Sequence, residues 1–183
     1  PADDSPVADY AELLDSEEEA TICRYLLDAR AKLQGPVRVV TIPSLAEFGA
    51  DGWSFERFAY TWKNKWMRSR FGILFLFDHG ARRIQIQLGK GWGSKWENHC
   101  KGIERELALP LMRRGDFSGA VLRCGIALVD MAKAGPDGRV PGLDPSAELP
   151  ASIQGRPPAE SSIPAADEVE IPPVAESEAP DPG

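Results

Sequence analysis

Gly72-Ile73-Leu74-Phe75-Leu76-Phe77, then Asp78-His79-Gly80-Ala81, then Arg82-Arg83-Ile84-Gln85-Ile86-Gln87-Leu88: this stretch decides the fold. The first segment is apolar at every position. It is too short for a buried helix and suits a central strand covered on both faces. The last segment alternates instead. Ile84, Ile86 and Leu88 fall on one side and Arg83, Gln85 and Gln87 on the other, the pattern of a strand with one wet face. The short polar turn between them makes an antiparallel hairpin.

Upstream, Val37-Arg38-Val39-Val40-Thr41-Ile42 is a β-branched run ended by Pro43. Residues 43–52 read as loop. Ser54 then caps a helix carrying Phe55, Phe58, Ala59, Trp62 and Trp66 on one face. Cofactor stacking is one use for such aromatics, but their spacing is that of a single buried stripe. A helix between two strands implies a right-handed crossover, so 37–42 and 72–77 run parallel. Residues 1–8 read as loop. Asp15-Ser16-Glu17-Glu18-Glu19 then opens a helix over about 16–34, through a capping box of Ser16 with Glu19 or of Asp15 with Glu18, and Gly35-Pro36 stops it.

Downstream, Gly89-Lys90-Gly91-Trp92-Gly93 is a flexible loop, and Ser94 caps a helix over about 94–109 that Pro110 bends or ends. Gly115-Asp116-Phe117-Ser118 resets the chain, and a fourth helix carries Ala120, Val121, Cys124, Ala127, Leu128 and Met131 up to Gly135-Pro136. The order α-β-α-β-β-α-α gives an α/β fold. It is a three-layer α/β/α sandwich with a small mixed sheet, the first two strands parallel and the third antiparallel, covered by about four helices.

Composition divides the chain in two. Residues 1–133 carry 18 acidic and 19 basic residues, whereas 134–183 carry 10 acidic and 2 basic ones and 11 of the 16 prolines. The first part reads as one folded domain, residues 1–134. The second, 135–183, has too little apolar surface to offset the entropy of ordering and reads as a disordered, acidic, proline-rich tail: a tether or spacer, with Val169–Val174 as a short recognition element. The near-neutral domain argues against nucleic acid as a partner. Cys23, Cys100 and Cys124 follow no CxxC or Cys/His spacing, which excludes a zinc site and a disulfide framework. They read as small buried helix residues, with one pair still able to bridge in an oxidising compartment. No apolar run of membrane-spanning length occurs. The chain opens at Pro1, which fits either a removed signal segment or a trimmed chain.

Several segments taken in order resemble the TPM domain. They are Val7-Ala8-Asp9 with Leu13-Leu14; Val39-Val40-Thr41-Ile42-Pro43-Ser44; Phe58-Ala59 and Trp66; Gly72-Ile73-Leu74-Phe75-Leu76; Arg82-Arg83-Ile84 leading to Gly89-Lys90-Gly91; and Pro110 with Gly115-Asp116-Phe117. The resemblance spans about Val7 to Lys133. It implies an α/β/α sandwich, a periplasmic, lumenal or otherwise extracytoplasmic location, and acid phosphatase activity or calcium binding.

The resemblance also implies a site. In the family an Asp-Asn-Gly precedes the central strand, and a Gly-x-Gly loop leads into a helix beginning with aspartate. Because the hairpin is antiparallel, residues 69–72 and 89–97 share one end of the sheet, where carboxylates could hold a hard cation. Here Arg70 and Phe71 stand at the Asp-Asn positions, Gly93 replaces a usual acidic residue, and only Glu97 keeps its charge. Asp9 is a second carboxylate if it comes near. Gly89, Lys90, Gly91 and Trp92 complete the degenerate site, and Arg70, Lys90 and Lys95 surround the place of a cation. Two readings follow. In one, the protein is a non-catalytic module that binds a protein partner, including a membrane-associated one, with no cofactor and with Arg70 paired to Glu97. In the other, it is a metal-dependent acid phosphatase-like enzyme using Asp9, Glu97 and the Gly89–Gly93 loop, with calcium as cofactor. That loop could also cradle a phosphate, though it lacks the length and the Ser/Thr of a P-loop. Asp78-His79 reads as turn chemistry.

Overall fold

The computed structural model describes residues 5–30, 35–66 and 69–144, and of residues 28–30 and 66 the backbone only. The end of the first helix beyond Arg30, the packing of the Trp66 side chain and the tail from 145 onward lie outside the described residues.

The strands are β1 (Val7–Asp9), β2 (Val37–Ile42), β3 (Ile73–Asp78) and β4 (Arg83–Leu88), side by side in that order. β1 and β3 both run parallel to β2, and β4 runs antiparallel to β3, with Ile73 opposite Leu88 and Asp78 opposite Arg83. The mixed sheet therefore has the expected directions, and β1 adds a short fourth strand where a loop was read.

The helices are α1 (Ser16–Arg30), α2 (Phe55–Trp66), α3 (Ser94–Gly102), α4 (Leu109–Arg113) and α5 (Phe117–Ala134). A π-helical segment, Ile103–Ala108, joins α3 to α4, so the chain stays helical past Pro110. Pro110 sits at the junction of that segment with α4 and does not end the helix. The capping box at α1 is the one of Asp15 with Glu18: Asp15 Oδ1 accepts from the N–H of Glu18 and of Glu17, and Glu18 Oε2 from that of Asp15. Ser54 Oγ accepts from Arg57 N at 3.2 Å, as its position before α2 suggests. At α3 the N-cap is Gly93 with no side-chain bond, so Ser94 does not cap.

Alternation along the strands builds two cores. Val37, Val39, Ile73, Phe75, Phe77 and Ile86 pack with Ile22 and Leu26 of α1, Cys100 of α3, Ile103 and Leu107 of the π-helical segment, and Leu128 of α5. On the opposite face Val40, Ile42, Leu74 and Leu76 pack under Phe55, Phe58 and Ala59 of α2. The face of β4 read as wet is partly roofed by α2, leaving Gln85 and Gln87 half-buried. All three cysteines are free thiols, two of them buried. Burial pushes the Cys100 thiol up to about 12, which leaves it inert as a nucleophile.

The segment after α5 lies against the domain. Gly135, at φ +73°, turns the chain back at the end of α5. The indole Nε1 of Trp96 donates to Pro136 O at 2.8 Å, Lys95 Nζ donates to Gly138 O at 2.8 Å, and Val140 and Leu143 pack on the larger core.

Candidate functional site

The antiparallel register carries the two loops named from the sequence to the same end of the sheet. Gly89 N donates to Gly72 O and Gly91 N to Arg70 O, both at 2.8 Å, and the indole Nε1 of Trp92 donates to Phe71 O at 3.0 Å. The Phe71 ring meets Trp92 edge to face at 6.4 Å between centroids, and Trp92 meets Trp96 the same way at 5.4 Å. Trp92 and Trp96 are 7% and 0% exposed. Two glycines permit this contact. A Cβ on Gly91 would overlap the Phe71 ring, and one on Gly89 would overlap Arg70 O.

Charge sits outside this aromatic plug. Arg70, Lys90, Lys95 and Glu97 are all exposed. The expected pair of Arg70 with Glu97 is not formed: the Arg70 guanidinium lies 5.6 Å from the Phe71 ring centroid instead. Two exposed ions gain little from pairing in water, while a cation over a ring face keeps its hydration on the other side. Lys95 lies 5.2 Å over the Trp96 ring while it holds Gly138.

Asp9 does not join this group. It ends β1 level with Thr41 of β2 and Phe77 of β3, whereas the loops adjoin Ile73 and Leu88. The two places are about 13 Å apart along the strands. Both carboxylate oxygens of Asp9 are engaged, one by the Thr41 hydroxyl and one by Leu14 N at 2.7 Å.

The groups present do not fit a calcium ion, which takes six to eight oxygens. The carbonyls of Arg70, Phe71, Gly72 and Gly89 already accept hydrogen bonds within the loops, and of the carboxylates named for the site from the sequence only Glu97 stands there. Among the described residues, no group of three or more His, Cys, Asp or Glu is placed to hold a metal ion.

Sequence reasoning did not single out three other polar groups. Lys63 is 8% exposed and its Nζ reaches Leu88 O at 3.4 Å. Glu104 of the π-helical segment accepts from Ile86 N at 3.2 Å, and burial raises its carboxyl above the usual range, against that bond and Lys101. His99 is 7% exposed with no hydrogen-bond partner at Nε2; burial lowers its pKa, against an opposing pull from Glu106. Each lies in a helix with no local motif to mark it.

Two solved structures share this fold. The N-terminal domain of a protein from P. gingivalis is similar at 20% identity and TM-score 0.58, over 70% of this chain and 81% of that one. The N-terminal domain of a Corynebacterium glutamicum protein is similar at 17% identity and TM-score 0.56, over 78% of this chain and 88% of that one. No curated protein matches the chain. The family model described as TPM domain matches residues 7–131, from β1 to the last turn of α5, and the chain belongs to the TPM domain family.

Proposed function

We propose that this protein is a non-catalytic, extracytoplasmic TPM module that binds a protein partner at the Arg70–Lys90–Glu97 end of its sheet. One observation carries the reading: the Phe71 ring and the Trp92 indole fill the meeting point of the two loops, where the indole and the loops' own N–H groups take up the carbonyl oxygens. What remains exposed is three long basic side chains, Arg70, Lys90 and Lys95, with Glu97, over the buried aromatic groups. That chemistry suits a partner segment bearing carboxylates better than it suits a divalent cation.

Calcium titration by calorimetry tests the metal half of the reading. The protein as it stands gives no saturable heat up to about 1 mM calcium, the weak end of natural protein sites. Saturable binding lost in Glu97→Gln would overturn it. So would turnover of a generic phosphomonoester, with calcium or magnesium, that Glu97→Gln abolishes. A photo-crosslinking residue tests the partner half. Placed at Lys90 it gives a discrete adduct in the source cells. Placed at Ala81, in the turn at the other end of the sheet, it does not. Absence of the Lys90 adduct, or recovery of the protein in the cytoplasmic fraction, would refute the assignment.

A further inference from the structure

β4 is the outer strand of the sheet, and its pattern is unusual for an exposed edge. Between Arg83 and Leu88 it reads Ile84-Gln85-Ile86-Gln87, uncharged, free of proline and rich in strand-forming residues. Such an edge is a template for pairing with another chain.

The hydrogen bonds define which groups face outward. Gly89 N donates to Gly72 O beside β3, so the carbonyl of Leu88 points away from the sheet. By the same alternation Ile84, Ile86 and Leu88 turn both backbone groups outward. Two of these groups are occupied by ionisable side chains arriving from opposite layers. Glu104, from the helical layer over the larger core, takes Ile86 N at 3.2 Å. Lys63, from α2, takes Leu88 O at 3.4 Å, and Lys63 is 8% exposed, a rare position for a lysine.

The strand is also complementary to itself. An antiparallel pairing centred on Ile86 sets Ile86 against Ile86, Ile84 against Leu88 and Gln85 against Gln87. Apolar side chains then meet on one face and amides on the other. Every outward backbone group finds a partner, and Arg83 falls beside Gly89 rather than another charge. The two groups held by Glu104 and Lys63 belong to that set of bonds. We infer that Lys63 and Glu104 hold the β4 edge closed, and that the partner this edge fits is the β4 strand of a second copy of this chain.

Removing both side chains with apolar replacements, Lys63→Met with Glu104→Leu in the full chain, tests the inference. Sedimentation should show the mass doubling. Adding Ile86→Pro to that variant, which deletes the central outward N–H, should return it to the monomer. A folded double variant that stays monomeric would overturn the inference, and so would a dimer indifferent to Ile86→Pro. If the double variant does not fold, the single variants Lys63→Met and Glu104→Gln decide. Each should bind a synthetic peptide of residues 82–89 at least about tenfold tighter than the unaltered protein does. Equal binding by all three would refute the closed-edge reading.

Discussion

At the end of the sheet where β1, β2 and β3 finish, carboxylates turn inward beside the exposed Arg82 and Arg83. At the end where β3 starts and β4 stops, the cations of Arg70, Lys90 and Lys95 and the carboxylate of Glu97 turn outward. Asp9 ties β2 to the loop before α1, Asp78 accepts from Ala81 N at 2.9 Å in the hairpin turn, and Glu18 and Asp116 cap α1 and α5. Each of these carboxylates satisfies a backbone N–H, so removing one leaves a donor without its partner. Arg70 and Lys90 satisfy nothing in the interior. The first end is held by those carboxylate bonds, and the second is sealed by Phe71 and Trp92 with its charged side chains exposed.

Three substitutions test that contrast and one, at His99, tests the region between, in order of falling effect. Gly89→Ala drives a Cβ into the backbone of Arg70 and should lower stability by about 3 kcal/mol in urea unfolding, with a shift in Trp92 fluorescence. A loss below about 1 kcal/mol would mean that the loops meet less tightly than described. Asp9→Ala strands Leu14 N and the Thr41 hydroxyl and should cost about 2 kcal/mol while leaving that fluorescence unchanged. A fluorescence change would show that the two ends are coupled.

His99 belongs to neither end. Its ordinary pKa is 6.5 and burial lowers it in the folded chain. The unfolded chain therefore takes up the proton first as pH falls, so the stability His99 contributes is present above that value and is lost on acidification below it. His99→Gln should flatten this part of the pH profile. An unchanged slope would place the acid sensitivity elsewhere. Last, Arg70→Ala should change stability by no more than about 0.5 kcal/mol, because its guanidinium is exposed. A larger loss would make Arg70 part of the seal.

The hairpin and the parallel crossover were legible because Ile73–Phe77 is apolar throughout and Ile84–Leu88 alternates. Those patterns report burial on two faces and on one. β1 was not legible: three residues are too few to show a period, and Val7–Asp9 is a strand only because β2 offers an edge to pair with. The π-helical segment left no mark either, since Ile103, Leu107 and Leu111 fit α-helical spacing equally well. At the candidate site, the meeting of residues 69–72 with 89–97 followed from strand direction alone. The pairing of Arg70 with Glu97 did not, because two long exposed side chains are placed by weak local contacts that no spacing encodes. Asp9 was misplaced for a different reason: once 7–9 is a parallel strand, its last residue stands at the far end of the sheet.

Residues 135–144 lie beyond the span that matches the family, and they are fastened along α3 by the Trp96 indole and the Lys95 ammonium. Tension on the chain beyond Asp144 therefore reaches α3 before it reaches the end of α5. The attachment works as a strain relief for α5: Leu143 and Val140 on the larger core, and then those two bonds, take up load before Gly135 does.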